Sequence, residues 1–392
     1  MGGRLYSEGR QPISDQLLPY GRQWIDEDDV QAVIDALRSD WLTTGPMVEA
    51  FEQAVAEFVG ARYAVAVSSG TAALHAAMYA AGIGQGDEVI VPAMTFAATA
   101  NAVVFQGGKP VFADVHPETL LVDVKDVECK ITSRTKAIVA VDYAGQPCDY
   151  DLLRSIAERH GLVLIADACH ALGAEYKGRK VGTLADLTVF SFHPVKHITT
   201  GEGGMVVTDI EGFAERMRRF RNHGINVDHR QRAEQGTWYY EMVDLGYNYR
   251  LTDFQCGLGM SQLRKLPMWL ARRREIANRY DKALAHIVGV EPLKVLAWAY
   301  HAYHLYVVQL DLEKLNRSMV FAGLREQGIG VNVHYIPVHL HPFYQKQFGT
   351  KSGECPVAEV AYQRIISLPI FPYMRDEDVT RVVDSVYKVV NS

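Results

Sequence analysis

The chain has 392 residues, 48% of them hydrophobic and 22% charged, a balance that excludes a disordered, collagenous or fibrous polypeptide. That length exceeds what one compact core usually holds and leads us to expect about two to three domains. A formal net charge of −6 gives the surface no general attraction for nucleic acid, and the longest apolar runs, such as Leu162–Ala166, fall far short of the roughly 20 residues of a bilayer crossing.

The N-terminal stretch Met1–Arg10 is polar and Gly-rich with no apolar centre, so no signal peptide is expected. Tyr6 also stands where an N-myristoylation motif needs Ser or Thr. Five cysteines, Cys129, Cys148, Cys169, Cys256 and Cys355, are odd in number, scattered and free of C-x-x-C spacing. They argue against a disulfide framework or a zinc site and for a reducing cytoplasm.

In chain order, an N-terminal arm (1–40) carries an acidic-capped amphipathic helix over Asp26–Arg38. A large domain (41–265) follows. Within it, short apolar runs alternate with helix-length segments, which predicts an α/β fold with helices on both faces of a mostly parallel sheet. The expected strands are Tyr63–Val67, Glu88–Val91, Pro110–Asp114, Ala137–Asp142, Leu162–Asp167, Leu187–Phe192 and Gly204–Thr208. Helices are expected at Thr71–Ala81, Thr95–Gln106 and Tyr150–His160, the last capped by Asp149. A long helix from Thr252 to about His286, kinked at Pro267, leads into a smaller α+β domain (266–392). There the expected elements are a strand, His304–Leu310, and helices Ser318–Gln327, Val357–Ile366 and Asp376–Val390. The run Arg272-Arg273-Arg274 reads as a solvated helix face.

Three segments carry chemistry. Ser68-Ser69-Gly70-Thr71 follows a strand and opens a helix, so its free N–H groups suit an anion, though an ordinary N-cap has the same pattern. The buried strand ending at Asp167 places a carboxylate where open α/β sheets bind ligands, or where it could equally cap a helix. Lys196 leaves another buried strand ahead of the Gly-rich run Thr199-Thr200-Gly201-Glu202-Gly203-Gly204, and desolvation there would make its amine a nucleophile toward a carbonyl. Together, an anion cradle, a carboxylate and a lysine at successive strand ends match the needs of pyridoxal phosphate. Ser191 offers a hydroxyl for the phosphate. Phe96 offers a face for the ring, its alternative being a core aromatic at the sheet edge.

With these motifs the sequence resembles the DegT/DnrJ/StrS sugar-nucleotide aminotransferases, a fold-type I pyridoxal phosphate group, over nearly its whole length. The likeness rests on Ser-Gly-Thr-Ala-Ala (69–73), Asp-Ala-Cys-His-Ala (167–171), Phe-Ser-Phe-His-Pro-Val-Lys (190–196), Thr-Thr-Gly-Glu-Gly-Gly (199–204) and Gly-Tyr-Asn-Tyr-Arg-Leu (246–251). Val141-Asp142-Tyr143-Ala144-Gly145 and His170–Tyr176 beside Ile198-Thr199-Thr200 bring it nearest to the aminotransferases of pseudaminic acid biosynthesis.

The resemblance implies that Lys196 forms the imine with the cofactor and shuttles a proton, and that Asp167 holds the pyridinium nitrogen. Ser69, Gly70, Thr71 and Ser191 would hold the phosphate, with Phe96 and His170 completing the pocket. Asn248 would reach the cofactor of a neighbouring subunit, making the protein a homodimer. The implied reaction transfers an amine from glutamate to a nucleotide-linked 4-keto-6-deoxy sugar, with a UDP-linked N-acetylhexosamine as first choice and dTDP- or GDP-linked keto sugars as alternatives. Thr44, Arg250, His334 and Tyr335 are the expected sugar-nucleotide contacts, and Arg250, Arg221 and His334 the expected partners of the diphosphate. A dehydratase on this scaffold would carry His in place of Lys196, and a non-catalytic regulator would lack Lys196 or Asp167.

Cys169 stands where most relatives have Ala; it reads as a small hydrophobe beside the ring, on the side of Asp167. The histidines His334, His339 and His341 read as a substrate-facing loop and not a metal site. Gly82–Asp87 precedes a strand, so it is a turn and not a dinucleotide fingerprint.

Overall fold

A computed structural model describes residues 17–227 and 229–391. The polar stretch Met1–Arg10 and the first part of the arm lie outside the described residues. After α1 (Glu27–Arg38) and α2 (Pro46–Val59), the large sheet is built from β1 (Tyr63–Val67), β2 (Glu88–Pro92), β3 (Lys109–Ala113), β4 (Thr135–Val141) and β5 (Val163–Asp167). A small hairpin, β6 (Glu175–Tyr176) and β7 (Arg179–Lys180), precedes the last two large-sheet strands, β8 (Leu187–Ser191) and β9 (Gly204–Thr208). The order across the sheet is β1-β9-β8-β5-β4-β2-β3. Only β9 runs against its neighbours.

The strands are Val-, Ile- and Ala-rich, and those of β2 and β9 are buried at every position, as a sheet covered on both faces requires. The cover comes from α3 (Gly70–Ala80), α4 (Ala97–Phe105), α5 (Val124–Cys129), α6 (Tyr150–His160) and α7 (Glu211–Phe220), followed by the short α8 (His229–Glu234). Asp149 caps α6 by accepting from the Leu152 N–H at 3.3 Å. Asp26 and Asp29 close a reciprocal capping box on α1.

The helix α9 (Asp253–Leu284) runs unbroken through Pro267 and serves two hydrophobic cores. Its Leu266, Trp269 and Leu270 join Phe51, Ala140, Leu164 and Phe190 under the large sheet. One to two turns further on, Ile276, Tyr280 and Leu284 pack with Leu18, Val308, Leu324, Phe371 and Val382 in a second core. That second core is closed by the sheet β10 (Val290–Pro292), β12 (Tyr306–Leu310) and β13 (Ile365–Leu368) and by α10 (Arg317–Glu326) and α13 (Asp376–Val390). The short β11 (Ala299–Tyr300) instead pairs with β6, and α11 (Pro342–Phe348) and α12 (Pro356–Arg364) connect the remainder.

Three expectations are corrected. The strand read from His304 starts at Tyr306, because residues 302–305 give their backbone groups to other partners. The helix read as Val357–Ile366 ends at Arg364, because Ile365–Leu368 pairs with β12. Arg273 is 1% exposed and not a solvated residue: its Nη1 donates to the carbonyls of Tyr303 (3.1 Å) and Ile370 (2.9 Å). Arg272 is half-buried and pairs with Glu275 and Asp376, while Arg274 lies over the Tyr300 ring.

Candidate active site

The carboxyl ends of β1, β5 and β8 meet at one place. Strand β5 ends at Asp167, which is buried. Its Oδ2 accepts from Thr99 Oγ1 at 2.7 Å, and Thr99 Oγ1 lies 2.7 Å from Thr95 Oγ1. Its Oδ1 accepts from the Cys169 N–H at 3.2 Å. Beyond Asp167 the chain turns, the Ala171 N–H donating to the Ala168 carbonyl, so Cys169 reaches Asp167 through its backbone and not by continuing the strand. Burial pushes the Cys169 thiol up, and Asp167 adds to this. Behind Asp167, the fully buried Asp142 accepts from the Cys148 N–H and the Tyr150 hydroxyl; burial, with Asp167 adding to it, pushes its carboxyl up to about 7.

Helix α3 begins at the end of β1. Ser69 caps it, its Oγ accepting from the Ala72 N–H at 3.0 Å. A Cβ at Gly70 would lie 2.9 Å from Ser191 Cβ and 3.0 Å from Ser191 Oγ, so only glycine lets the helix start approach the end of β8 this closely. Gly204 plays the same part from β9: a Cβ there would lie 2.4 Å from the Ser69 carbonyl oxygen. Thr71 is exposed on the first turn.

Lys196 is half-buried, and among the described residues it makes no salt bridge. Desolvation lowers its pKa below the usual lysine value, opposed by Cys169 and Asp167, whose charges it feels. Its own charge in turn bears on His170, His304 and His334. The buried His170 sets Nε2 3.0 Å from the Tyr335 hydroxyl, and Tyr335 lies 5.8 Å from the Phe96 ring, centroid to centroid. Phe96 is 60% exposed. It stands at the mouth of the site, and the core-aromatic reading falls.

The remaining candidates lie around this centre. The Ser68 N–H donates to the Tyr249 carbonyl at 2.8 Å, which sets the Asn248–Arg250 segment beside the start of α3. Asn248 itself is exposed and pairs through its backbone with Asn222. Arg250 donates to Asn222 Oδ1 at 2.6 Å. Thr44 adopts a left-handed φ of 54° next to Gly45, whose N–H, like that of Met47, is held by Asp253 at the start of α9.

Two expected partners of a diphosphate are already engaged. Arg221 is ion-paired with Glu52 and donates to the Ala66 carbonyl. His334 has Nδ1 2.8 Å from Ser367 Oγ and Nε2 3.3 Å from Asn332 Nδ2; burial lowers its pKa to about 4, so it is neutral. His339 is likewise turned inward, its Nε2 2.9 Å from Glu359, a carboxylate that sequence spacing did not reveal. Sequence reasoning also missed Thr95, Thr99 and His304. The i, i+4 threonines at the start of α4 were the one available sign of the first two.

This set fits pyridoxal phosphate. The Gly70 cradle leaves the α3 amides and the Ser191 hydroxyl side by side for a phosphate. Asp167, hydrogen-bonded on both oxygens, would face a ring nitrogen, and Lys196 is an amine with no salt bridge among the described residues.

The model of the DegT/DnrJ/EryC1/StrS aminotransferase family matches residues 23–387. The chain is 44% identical over 377 residues to the spore coat polysaccharide biosynthesis protein SpsC of Bacillus subtilis, covering 95% of this chain and 97% of that one. It superposes on Helicobacter pylori PseC, an aminotransferase involved in the biosynthesis of pseudaminic acid, with a TM-score of 0.90, at 34% identity and covering 96% and 100% of the two chains. The PLP form of Spr1654 from Streptococcus pneumoniae gives a TM-score of 0.89 at 32% identity, over 96% of this chain and 99% of that one. With a lysine, a carboxylate and a helix N-terminus gathered at the strand ends and the match running almost end to end, the chain belongs to the DegT/DnrJ/EryC1/StrS aminotransferase family and is a pyridoxal phosphate-dependent sugar aminotransferase.

Proposed function

We propose that the protein transfers an amine from glutamate to the C4 carbonyl of a nucleotide-linked 4-keto-6-deoxy sugar, with a UDP-linked N-acetylhexosamine as substrate, for a bacterial surface glycan. The observation that carries the chemistry is the meeting of Lys196, Asp167 and the Gly70–Ser191 cradle. The choice of sugar is supported by the pseudaminic acid assignment of the PseC structure and by the Val141–Gly145 segment.

When bound, pyridoxal phosphate supplies a carbon that accepts the amine and a cationic ring that withdraws electrons. The protein does the rest. Lys196 Nζ, its pKa lowered by desolvation, would hold the group and then take up and return a proton. Asp167, oriented by Thr99 and the Cys169 N–H, would hold the proton on the ring nitrogen; an ion pair at ~4 Å is worth roughly 4 kcal/mol at an effective dielectric of 20, before desolvation. Ser69, Gly70, Thr71 and Ser191 would bind the phosphate at the positive end of α3, Phe96 and His170 would line the ring's pocket, and Tyr335 would limit water. Thr44 and Arg250 contact the sugar nucleotide, and His334, being neutral, contributes there by shape.

We place the enzyme in the cytoplasm as a homodimer in which Asn248 serves the neighbouring site. Among the described residues no helix is long and apolar enough to cross a membrane, and all five cysteines are free. Just before Asn248, the chain offers solvent a run of apolar side chains, with Trp238 83%, Met242 67% and Leu245 68% exposed, more than an isolated subunit ordinarily leaves uncovered.

The test is to offer UDP-, dTDP- and GDP-linked 4-keto-6-deoxy sugars with glutamate and to detect the amino sugar by mass. Amination of the UDP-linked N-acetylhexosamine, with the free sugar reacting poorly, is expected, because remote binding energy positions the carbonyl. A clear preference for a dTDP- or GDP-linked sugar would overturn the substrate assignment and leave the transaminase chemistry standing.

A further inference from the structure

The segment Ala302–Leu305 lies between β11 and β12 and belongs to neither. Its backbone is nonetheless held at nearly every polar group. The Ala302 N–H donates to the Gly145 carbonyl at 2.9 Å and the Leu305 N–H to the Ala144 carbonyl at 3.2 Å. The Ala302 carbonyl meets His197 Nε2 at 3.1 Å, and the buried Arg273 donates to the carbonyls of Tyr303 and, at 3.5 Å, His304. Gly145, at φ +104°, leaves no room for a side chain: a Cβ there would lie 2.7 Å from the His170 carbonyl oxygen, 2.9 Å from Tyr303 N and 3.1 Å from His304 N.

The side chain that all this presents is His304. It is 5% exposed, and its ring centroid lies 4.3 Å from that of His170. The Nδ1 atoms of both rings are buried and have no hydrogen-bond partner among the described residues. Buried polar atoms are seldom left unmatched, so two of them on rings in contact mark the pair as a polar unit. The groups around it are cationic or neutral: Lys196, Arg273, His197 and His334 bear on these rings, and Tyr335 closes the far edge of His170. A second proton on His304 would face Lys196 and Arg273, and one on His170 would face Lys196, with no carboxylate bearing on either ring among the described residues.

We propose that His304 is a positioning residue that acts through His170, fixing that ring's orientation so that its Nε2 edge stays turned to Tyr335 and the cofactor pocket. The inference rests on His170 belonging to that pocket. A ring that only fills space could be replaced by phenylalanine; a polar partner could not.

The experiment is a double-mutant cycle on the cofactor-loaded enzyme with His304→Phe, His170→Phe and the double variant, following kcat, KM for glutamate, and the pH dependence of the bound cofactor's near-visible absorbance. His304→Phe should lower kcat on the order of tenfold, leave KM for glutamate within about twofold, and shift the pH midpoint of the absorbance; tenfold corresponds to about 1.4 kcal/mol. In the His170→Phe background the same change should have almost no further effect. A wild-type kcat and pH profile in His304→Phe, or an undiminished loss in the His170→Phe background, would overturn the proposal. Should His304→Phe fail to fold, His304→Asn carries the same cycle. If His170→Phe alone leaves kcat, affinity and absorbance unchanged, it is His170's place in the pocket that fails, an outcome separable from additivity in the cycle.

Discussion

At the scale of single residues, the site works by giving each charged group a different environment. Asp167 accepts hydrogen bonds on both oxygens, while Lys196 makes no salt bridge among the described residues and desolvation lowers its pKa against the opposing influence of Cys169 and Asp167. We expect Asp167→Asn to retain cofactor, because the phosphate cradle is untouched, and to lower kcat on the order of 10²- to 10³-fold, the range seen when one preorganised electrostatic contact is removed. Single-turnover kinetics with absorbance detection separate the two effects. Activity near wild type would make Asp167 a structural carboxylate. The placement of Asp167 was legible because it ends a buried strand with a polar side chain that burial alone disfavours, and that of Lys196 because it follows a buried strand ahead of a Gly-rich turn. The fate of Arg221 and His334 was not. Glu52, 169 positions before Arg221, and Ser367, 33 positions after His334, become their partners only through the fold, and a count of local cations cannot anticipate that.

At the scale of elements, the active site is a matter of how closely the start of α3 can lie against β8 and β9. Gly204 occupies β9 opposite Ser191 and Val67, and its missing side chain is the space filled by the Ser69 carbonyl. Gly204→Ala should therefore destabilise the fold by about 1–3 kcal/mol, the usual cost of overpacking, and weaken cofactor binding further by displacing the α3 amides. A thermal melt with and without added cofactor checks both parts. An unchanged melting temperature together with unchanged cofactor affinity would mean that the approach is not needed. The large-sheet strands were readable to within a residue or two because burial on both faces makes them continuous apolar runs; β1, β9, α6 and α13 came out at their observed limits. The failures share a cause. The helix α2 was passed over although Pro46 opens it and Gly60 closes it, and the start of Ile365–Leu368 was merged into a helix because a four-residue, mostly apolar run beside a helical pattern has no period of its own. Its pairing with β12 decides the matter, and that is a long-range fact.

At the scale of the whole molecule, the exposed apolar run ahead of Asn248 and the placement of Asn248 beside α3 bear on the same question. Trp238, Met242 and Leu245 leave an exposed apolar surface, which the proposed homodimer would cover. If that copy's Asn248 completes the cofactor pocket, then each active site draws Lys196 from one subunit and Asn248 from the other. Mixing Asn248→Ala with Lys196→Ala subunits would then create a heterodimer with one site carrying both lesions and one carrying neither. Starting from two weak parents, recovery should approach the share of intact sites, about a quarter of the wild-type activity for equal amounts under random exchange, since half of the dimers are mixed and half of their sites are whole. Exchange is verified by differently tagged subunits, and activity is read with glutamate and the keto sugar. Activity no greater than the sum of the parents, with exchange demonstrated, would put Asn248 in its own subunit's site or outside the site. The dimer would then have to be justified by the Trp238–Leu245 surface alone.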